Sequence, residues 1–210
     1  MKIAQVCPYD LDRPGGVQVH IRDTAVALAE LGHDVTIIAP KVGQGAPDGP
    51  QVERRDGVTV VKVGRATHIR FAGTAFEISL ALGAEHRRLA RLMADGFDVA
   101  HYHTVWTPML PLQALACSTS PSVMTFHDTP PDTLLGAIGR LAQRGASRLL
   151  SSRIDGAIAV SAATARRLHP DASRQLVVLP PCTDLRRFRA ELDNLSRVAT
   201  GFATAAEPLS

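Results

Sequence analysis

The order in which two kinds of hydrophobic pattern succeed each other limits this fold more than any other feature. Residues 2–7 (KIAQVC) form a short apolar run suited to a buried strand, and Pro8 ends it. Residues 8–16 read as a loop. Beyond them Val17, Ile21, Thr24, Ala25, Leu28 and Leu31 recur at helical spacing until Gly32, a common residue just past a helix end. Residues 35–39 are a second buried run, closed by Pro40. Strand, loop, helix and strand in this order make a βαβ unit, which implies a parallel pair with a right-handed crossover.

The alternation continues. A turn-rich stretch at 42–56 precedes a strand at 58–63, and a long helix is expected over 72–94, before Gly96. Strands follow at 99–103 and 122–126, with a helix over 108–117 between them. The pattern then predicts a helix over 134–150, a strand at 154–160, a short helix over 162–168 and a strand at 176–179. The reading is an α/β fold: one Rossmann-like, doubly wound parallel sheet occupying residues 1–188. Residues 189–210 form a tail with one weak helix.

Composition supports a packed globular domain: 45% of residues are hydrophobic and 20% charged. Aromatics are only 4%, so Ala, Val, Leu and Ile must fill the core. A net charge of +3 is too small to suggest nucleic acid. The cations are mostly Arg, with Lys only at 2, 41 and 62; codon bias and phosphate binding explain this equally well. Cys7, Cys117 and Cys182 suggest neither a disulfide framework nor a zinc site. With no leader-like or membrane-spanning run, the expected location is cytoplasmic, at most peripheral at the inner face of the membrane.

Doubly wound sheets bind ligands beyond the carboxyl ends of their strands. Arg13-Pro14-Gly15-Gly16-Val17 lies there, before the first helix. Its glycines let backbone amides approach a phosphate at a helix N-terminus, although a plain tight turn would also explain them. It is neither a G-x-G-x-x-G nor a Walker loop, which disfavours a nicotinamide oxidoreductase. His101 and His103, followed by Trp106, alternate onto one face of a strand. No third ligand with convincing spacing accompanies them, so contacts to a hydroxyl-rich ligand are favoured over a metal. His127, in Thr125-Phe126-His127-Asp128, ends the next strand and is the best single candidate for chemistry; the plainer alternative is that Asp128 caps a helix. Arg65, His68, Arg70, His86, Arg87, Arg88 and Arg91 flank an apolar stretch. That segment is either a core helix with solvated ends or a helix lying on an anionic membrane.

Taken in order, these segments are similar to a known family. Val6-Cys7-Pro8-Tyr9, Pro14-Gly15-Gly16-Val17, Leu31-Gly32-His33-Asp34-Val35, Phe97-Asp98-Val99 with His101 and His103, Thr125-Phe126-His127-Asp128, and Ile158-Ala159-Val160-Ser161 resemble the N-terminal domain of glycosyltransferase family 4 enzymes of GT-B architecture. V-C-P-Y and P-G-G-V-Q are most like the phosphatidylinositol mannosyltransferase branch. The resemblance implies a nucleotide-diphosphate sugar donor, retention of anomeric configuration and no metal cofactor. It places Gly15 and Gly16 against the donor diphosphate and His127 against the transferred sugar as the catalytic residue. Tyr9, His103, Trp106 and Asp128 would face the acceptor, and the basic segment would resemble a membrane-docking element. Glu77 and Glu85 show a spacing used in some glycosyltransferases. On one helix they would lie about 80° apart, so the match is read as coincidence.

One motif departs from the family pattern. Where relatives carry I-P-N-G-V-D, this chain has Leu179-Pro180-Pro181-Cys182-Thr183-Asp184. A donor-binding second domain would be expected beyond it, supplying the charge that stabilises the leaving diphosphate. The expectation is therefore an acceptor-side half that transfers a hexosyl group to a polyol, glycan or lipid-linked acceptor only when a donor domain, in the same or a separate chain, completes it. The competing reading is a non-catalytic module that binds a polyol, a glycolipid headgroup or an anionic membrane.

Overall fold

A computed structural model describes residues 1–41, 51–71, 74–104, 109–127, 141, 144, 145, 147–168 and 176–181. Among these residues lies one nine-stranded sheet. Its strands are β1 (Lys2–Val6), β2 (Asp34–Lys41), β3 (Gln51–Arg55), β4 (Val58–Phe71), β5 (Thr74–Leu80), β6 (Val99–His103), β7 (Ser122–Phe126), β8 (Gly156–Ala159) and β9 (Leu176–Val178). The order is β3-β4-β2-β1-β6-β7-β8-β9, with β5 paired to β4. All neighbours from β4 to β9 along this path are parallel, while β3 and β5 run antiparallel to β4. The expected α/β class and parallel core are therefore present.

Helices α1 (Gly16–Glu30), α2 (Ala84–Ala94), α3 (Leu110–Cys117) and α4 (Ala162–Ala165) are the crossovers described in full. Strand alternation sorts the core into two parts. Ile3 and Cys7 join Ile21 and Ala25 of α1 with Val35, Ile37, Ala39, Val58 and Val60. Ala4, Val6, Ala100, Tyr102, Met124 and Phe126 point the other way, into a cluster with Leu89 and Met93 of α2 and Leu110 and Ala114 of α3. Burying about six such large side chains contributes on the order of 10 kcal/mol before chain entropy is subtracted.

The long helix expected over 72–94 does not form. Strand β4 continues to Phe71, β5 returns antiparallel alongside it, and the helix occupies only Ala84–Ala94. Polar side chains explain why the pattern misled. In β5 the buried residues are Glu77 and Ser79, whereas Ile78 and Leu80 are partly exposed. Strand alternation is present, but with the polar residues inward. Glu77 and Glu85 thus occupy different elements, and the helix geometry considered for them does not apply. The apolar stripe of α2, Leu89 and Met93, faces the core. The membrane-lying helix over 65–91 is therefore corrected to a hairpin followed by a core helix. Gly64 lets β4 pass this hairpin: its φ is +76°, and a Cβ there would stand 2.7 Å from the Leu80 carbonyl oxygen.

Of the helix expected over 134–150, residues 141, 144, 145 and 147–150 are helical and the remainder lies outside the described residues. The stretch read as turns at 42–56 instead contains strand β3, which pairs antiparallel with β4, and residues 42–50 lie outside the described set. The tail and the Cys182-Thr183-Asp184 departure lie outside it too.

Candidate active site

Strand β1 is the topological switch point: the chain winds from it to β2 on one side and later to β6 on the other. A crevice opens beyond the carboxyl ends of strands at such a point. The β1–α1 loop, the end of β6 and the end of β7 meet there. They carry Gly15 and Gly16, His103, and His127 respectively.

The loop is held from several sides. Backbone N–H of Asp10 donates to the Glu77 carboxylate, and Ser79 Oγ donates to the Pro8 carbonyl at 2.6 Å. The Arg13 guanidinium lies 3.7 Å from the same carboxylate. Gln18 Nε2 donates to the Asp10 carbonyl at 3.3 Å, the Arg22 guanidinium to the Leu11 carbonyl, and Lys62 pairs with Asp12. Such fixing lowers the cost of holding a ligand. Ser79 is a functional candidate that the sequence reading passed over, and Glu77 one that it set aside as a coincidence of spacing, because it placed both in a helix.

No side chain caps the N-terminus of α1 and its first turn carries no acidic residue, so its positive end is left for an anion. The two glycines differ. A Cβ on Gly15 would stand 2.3 Å from Gln18 Oε1, forcing that carboxamide off Asp10. A Cβ on Gly16 would meet no described atom within 4 Å, so packing does not demand glycine at that position.

Four imidazoles gather beside this loop on the α1 face of the sheet. His101 and His103 project from β6, their ring centroids 4.2 Å apart, and His101 Nε2 meets Thr125 Oγ1 at 2.7 Å. His103 Nδ1 and His127 Nε2 are hydrogen-bonded at 2.9 Å. His20, one turn into α1 from Gly16, sets its ring edge-on at 5.3 Å from that of His127. Sequence reading missed His20 because the helix was read for its apolar positions only. The offset of four from Gly16 was the available signal.

Burial keeps these rings uncharged. His101 is pushed down to about 3 and His127 to about 4, in both cases chiefly by loss of water and then by neighbouring histidines. His103 lies well below its ordinary value and His20 is also lowered, again mainly by burial. At neutral pH the cluster presents neutral donors and acceptors. His20, His103 and His127 place a ring nitrogen each within 4.8 Å of the others. Tetrahedral zinc would need nitrogens about 3.3 Å apart, so these rings would hold a metal only after drawing together and breaking the His103–His127 bond.

Beside the cluster, Thr104 adopts φ 54°, an uncommon region for a β-branched residue and a mark of strain at the end of β6. Tyr9 is half-buried against the α1 cluster at the loop's start. The structure thus brings Tyr9, Gly15, Gly16, His103 and His127 to one end of the sheet. His103 is wholly buried there. Trp106 and Asp128 lie outside the described residues.

Known proteins share this arrangement of segments. Residues 14–187 match the family model for Glycosyltransferase Family 4. The chain is 38% identical over 169 residues to a phosphatidyl-myo-inositol mannosyltransferase of Propionibacterium freudenreichii subsp. shermanii, covering 80% of this chain and 43% of that protein. It is 34% identical over 190 residues to the Mycolicibacterium smegmatis protein of that name, covering 90% of this chain and 45% of that protein. This chain therefore spans less than half the length of either relative. Among solved structures, sucrose-phosphate synthase from Thermosynechococcus elongatus superposes with a TM-score of 0.54 at 15% identity, over 91% of this chain and 52% of that one. That likeness concerns the fold, which is one half of the GT-B architecture. On the extent of the family match and the identity to these relatives, the chain belongs to glycosyltransferase family 4.

Proposed function

We propose that this chain is the acceptor-side half of a retaining, nucleotide-sugar-dependent hexosyltransferase. The observation that carries the reading is that His20, one turn beyond the uncapped α1 N-terminus at Gly15-Gly16, sets its ring 5.3 Å from that of His127 at the switch point. The donor diphosphate rests on the α1 amides. His127 hydrogen-bonds the transferred sugar, and an acceptor near Tyr9 completes the site. The relatives' name favours a mannosyl donor and a phosphatidylinositol acceptor. Use of a nucleotide sugar implies the cytoplasmic side, with peripheral contact to lipid through the exposed Arg65, Arg87 and Arg91. No described helix is long and apolar enough to cross a membrane.

Leaving-group charge is supplied by the second half in this reading, so the chain alone turns over slowly. The experiment mixes this chain with the second half of the Mycolicibacterium smegmatis relative. It follows transfer of labelled mannose from its nucleotide sugar to phosphatidylinositol vesicles. Transfer in the mixture well above that of either half supports the proposal. Vesicle or inositol binding without transfer in any pairing would instead favour a non-catalytic binding module.

A further inference from the structure

We infer that His103 is a positioning residue that fixes the tautomer of His127, so that His127 presents an N–H at Nδ1 to whatever occupies the crevice. The inference takes its functional meaning from the proposal that His127 faces the bound sugar, but the tautomer itself does not depend on that proposal.

The two rings stack with centroids 5.2 Å apart and planes 26° from parallel, and the 2.9 Å contact joins Nδ1 of His103 to Nε2 of His127. One nitrogen must donate and the other accept. His103 is 0% exposed, and its other nitrogen, Nε2, has no hydrogen-bond partner among the described residues. That orphan atom decides between two neutral arrangements. If His127 donated, the proton of His103 would sit on Nε2, leaving a buried N–H without an acceptor. If His103 donates from Nδ1, its Nε2 is a bare acceptor. Buried donors left unpaired are rarer than under-satisfied acceptors, so the second arrangement is favoured. Protonating both nitrogens of His103 would bury a charge among three other imidazoles, which desolvation opposes.

With Nε2 of His127 accepting, its single proton lies on Nδ1. His127 then offers the crevice a neutral hydrogen-bond donor, suited to a hydroxyl or carbonyl oxygen. It cannot act as a base through that atom. The packing of His101 against His103, and its bond to Thr125, hold the donor ring from the far side. His103 works through His127 and touches no ligand.

Long-range proton–nitrogen correlation spectra of the full 210-residue chain, labelled with 15N, read each imidazole tautomer directly. The wild type should show His127 protonated at Nδ1 and bare at Nε2. H103N keeps an amide donor near the position of Nδ1 and should preserve this state. H103L removes the donor that stabilises the bare Nε2, so the Nδ1–H population of His127 should fall measurably in favour of Nε2–H, with the backbone amide spectrum confirming the fold. Wild-type His127 protonated at Nε2, or an unchanged tautomer in folded H103L, would overturn the inference. If H103L fails to fold, wild type and H103N decide alone: both must carry the Nδ1 proton. The spectra need no substrate. Expected tautomers with no sugar transfer would therefore reject the proposed function while leaving this inference standing.

Discussion

Strands β1, β6 and β7 present two opposite surfaces built from alternate residues of the same short segments. One surface carries Ala4, Val6, Ala100, Tyr102, Met124 and Phe126 and is packed by α2 and α3. The other carries Gln5, His101, His103, Thr125 and His127 and lies towards α1. Both surfaces are largely withdrawn from water, yet the first is apolar throughout, whereas the second sets these polar groups beside the apolar Ile3, Cys7 and Val99. The amide atoms of the Gln5 side chain are buried without a partner among the described residues, and the histidines are held far from their ordinary protonation range. Buried polar groups of this kind destabilise a fold unless they are satisfied. The polar part of the second surface therefore has the character of a site, with stability supplied by the apolar clusters on both sides of the sheet.

The sharpest contrast should come from truncating each surface. Phe126→Ala opens a cavity in the apolar cluster and should cost about 3–5 kcal/mol in chemical denaturation. His101→Leu on the opposite surface should cost far less. A comparable loss would remove the distinction between the two surfaces.

Acidification should weaken the polar surface alone. The four histidines have folded-state values below the unfolded value of 6.5, so below that pH the unfolded chain binds more protons. Their contribution is fully present above about pH 6.5. It is lost as pH falls towards about 4 for His127 and about 3 for His101. Each histidine that stays neutral should cost up to about 2 kcal/mol between pH 6.5 and 5. Asp12 and Glu85 are lowered carboxylates, with ordinary values of 3.8 and 4.5, and lose their contribution in a more acidic range. Denaturation between pH 7 and 5 therefore isolates the histidines, and His101→Gln should flatten the slope there.

Gln5→Leu exchanges a buried, unpartnered amide for an apolar group of similar size and should stabilise by about 1–2 kcal/mol. A loss of stability would show that the amide is satisfied in solution. The smallest effect is expected at Gly16→Ala, where a Cβ would meet no described atom within 4 Å. Folding should be unchanged or favoured by about 0.4–1 kcal/mol, while sugar transfer by the completed enzyme falls. Unchanged transfer would remove the diphosphate from the α1 terminus.

Much of this arrangement was legible in the sequence, for identifiable reasons. Apolar runs ended by Pro8, Pro40 and Gly32 marked β1, α1 and β2, and the strand-end rule led to Gly15, Gly16, His103 and His127. Where the periodicity failed, polar residues were serving the site. Glu77 and Ser79 point inward to hold the Pro8–Arg13 backbone, which inverted the expected alternation and hid the hairpin. His20 was hidden within an amphipathic helix, because only the fold places that turn beside β6 and β7. Which nitrogen of His127 is engaged depends on a contact between two strands, which spacing alone does not reveal.

In the proposed function this crevice holds the transferred sugar against His127. Its most direct test is the turnover of the completed enzyme, this chain joined by a relative's second half, with His127→Ala against the wild type. The expected result is a fall of at least about 100-fold in kcat in a protein that still folds, with about 1–3 kcal/mol of stability lost because His103 Nδ1 loses its partner. Turnover within a few-fold of wild type would contradict it.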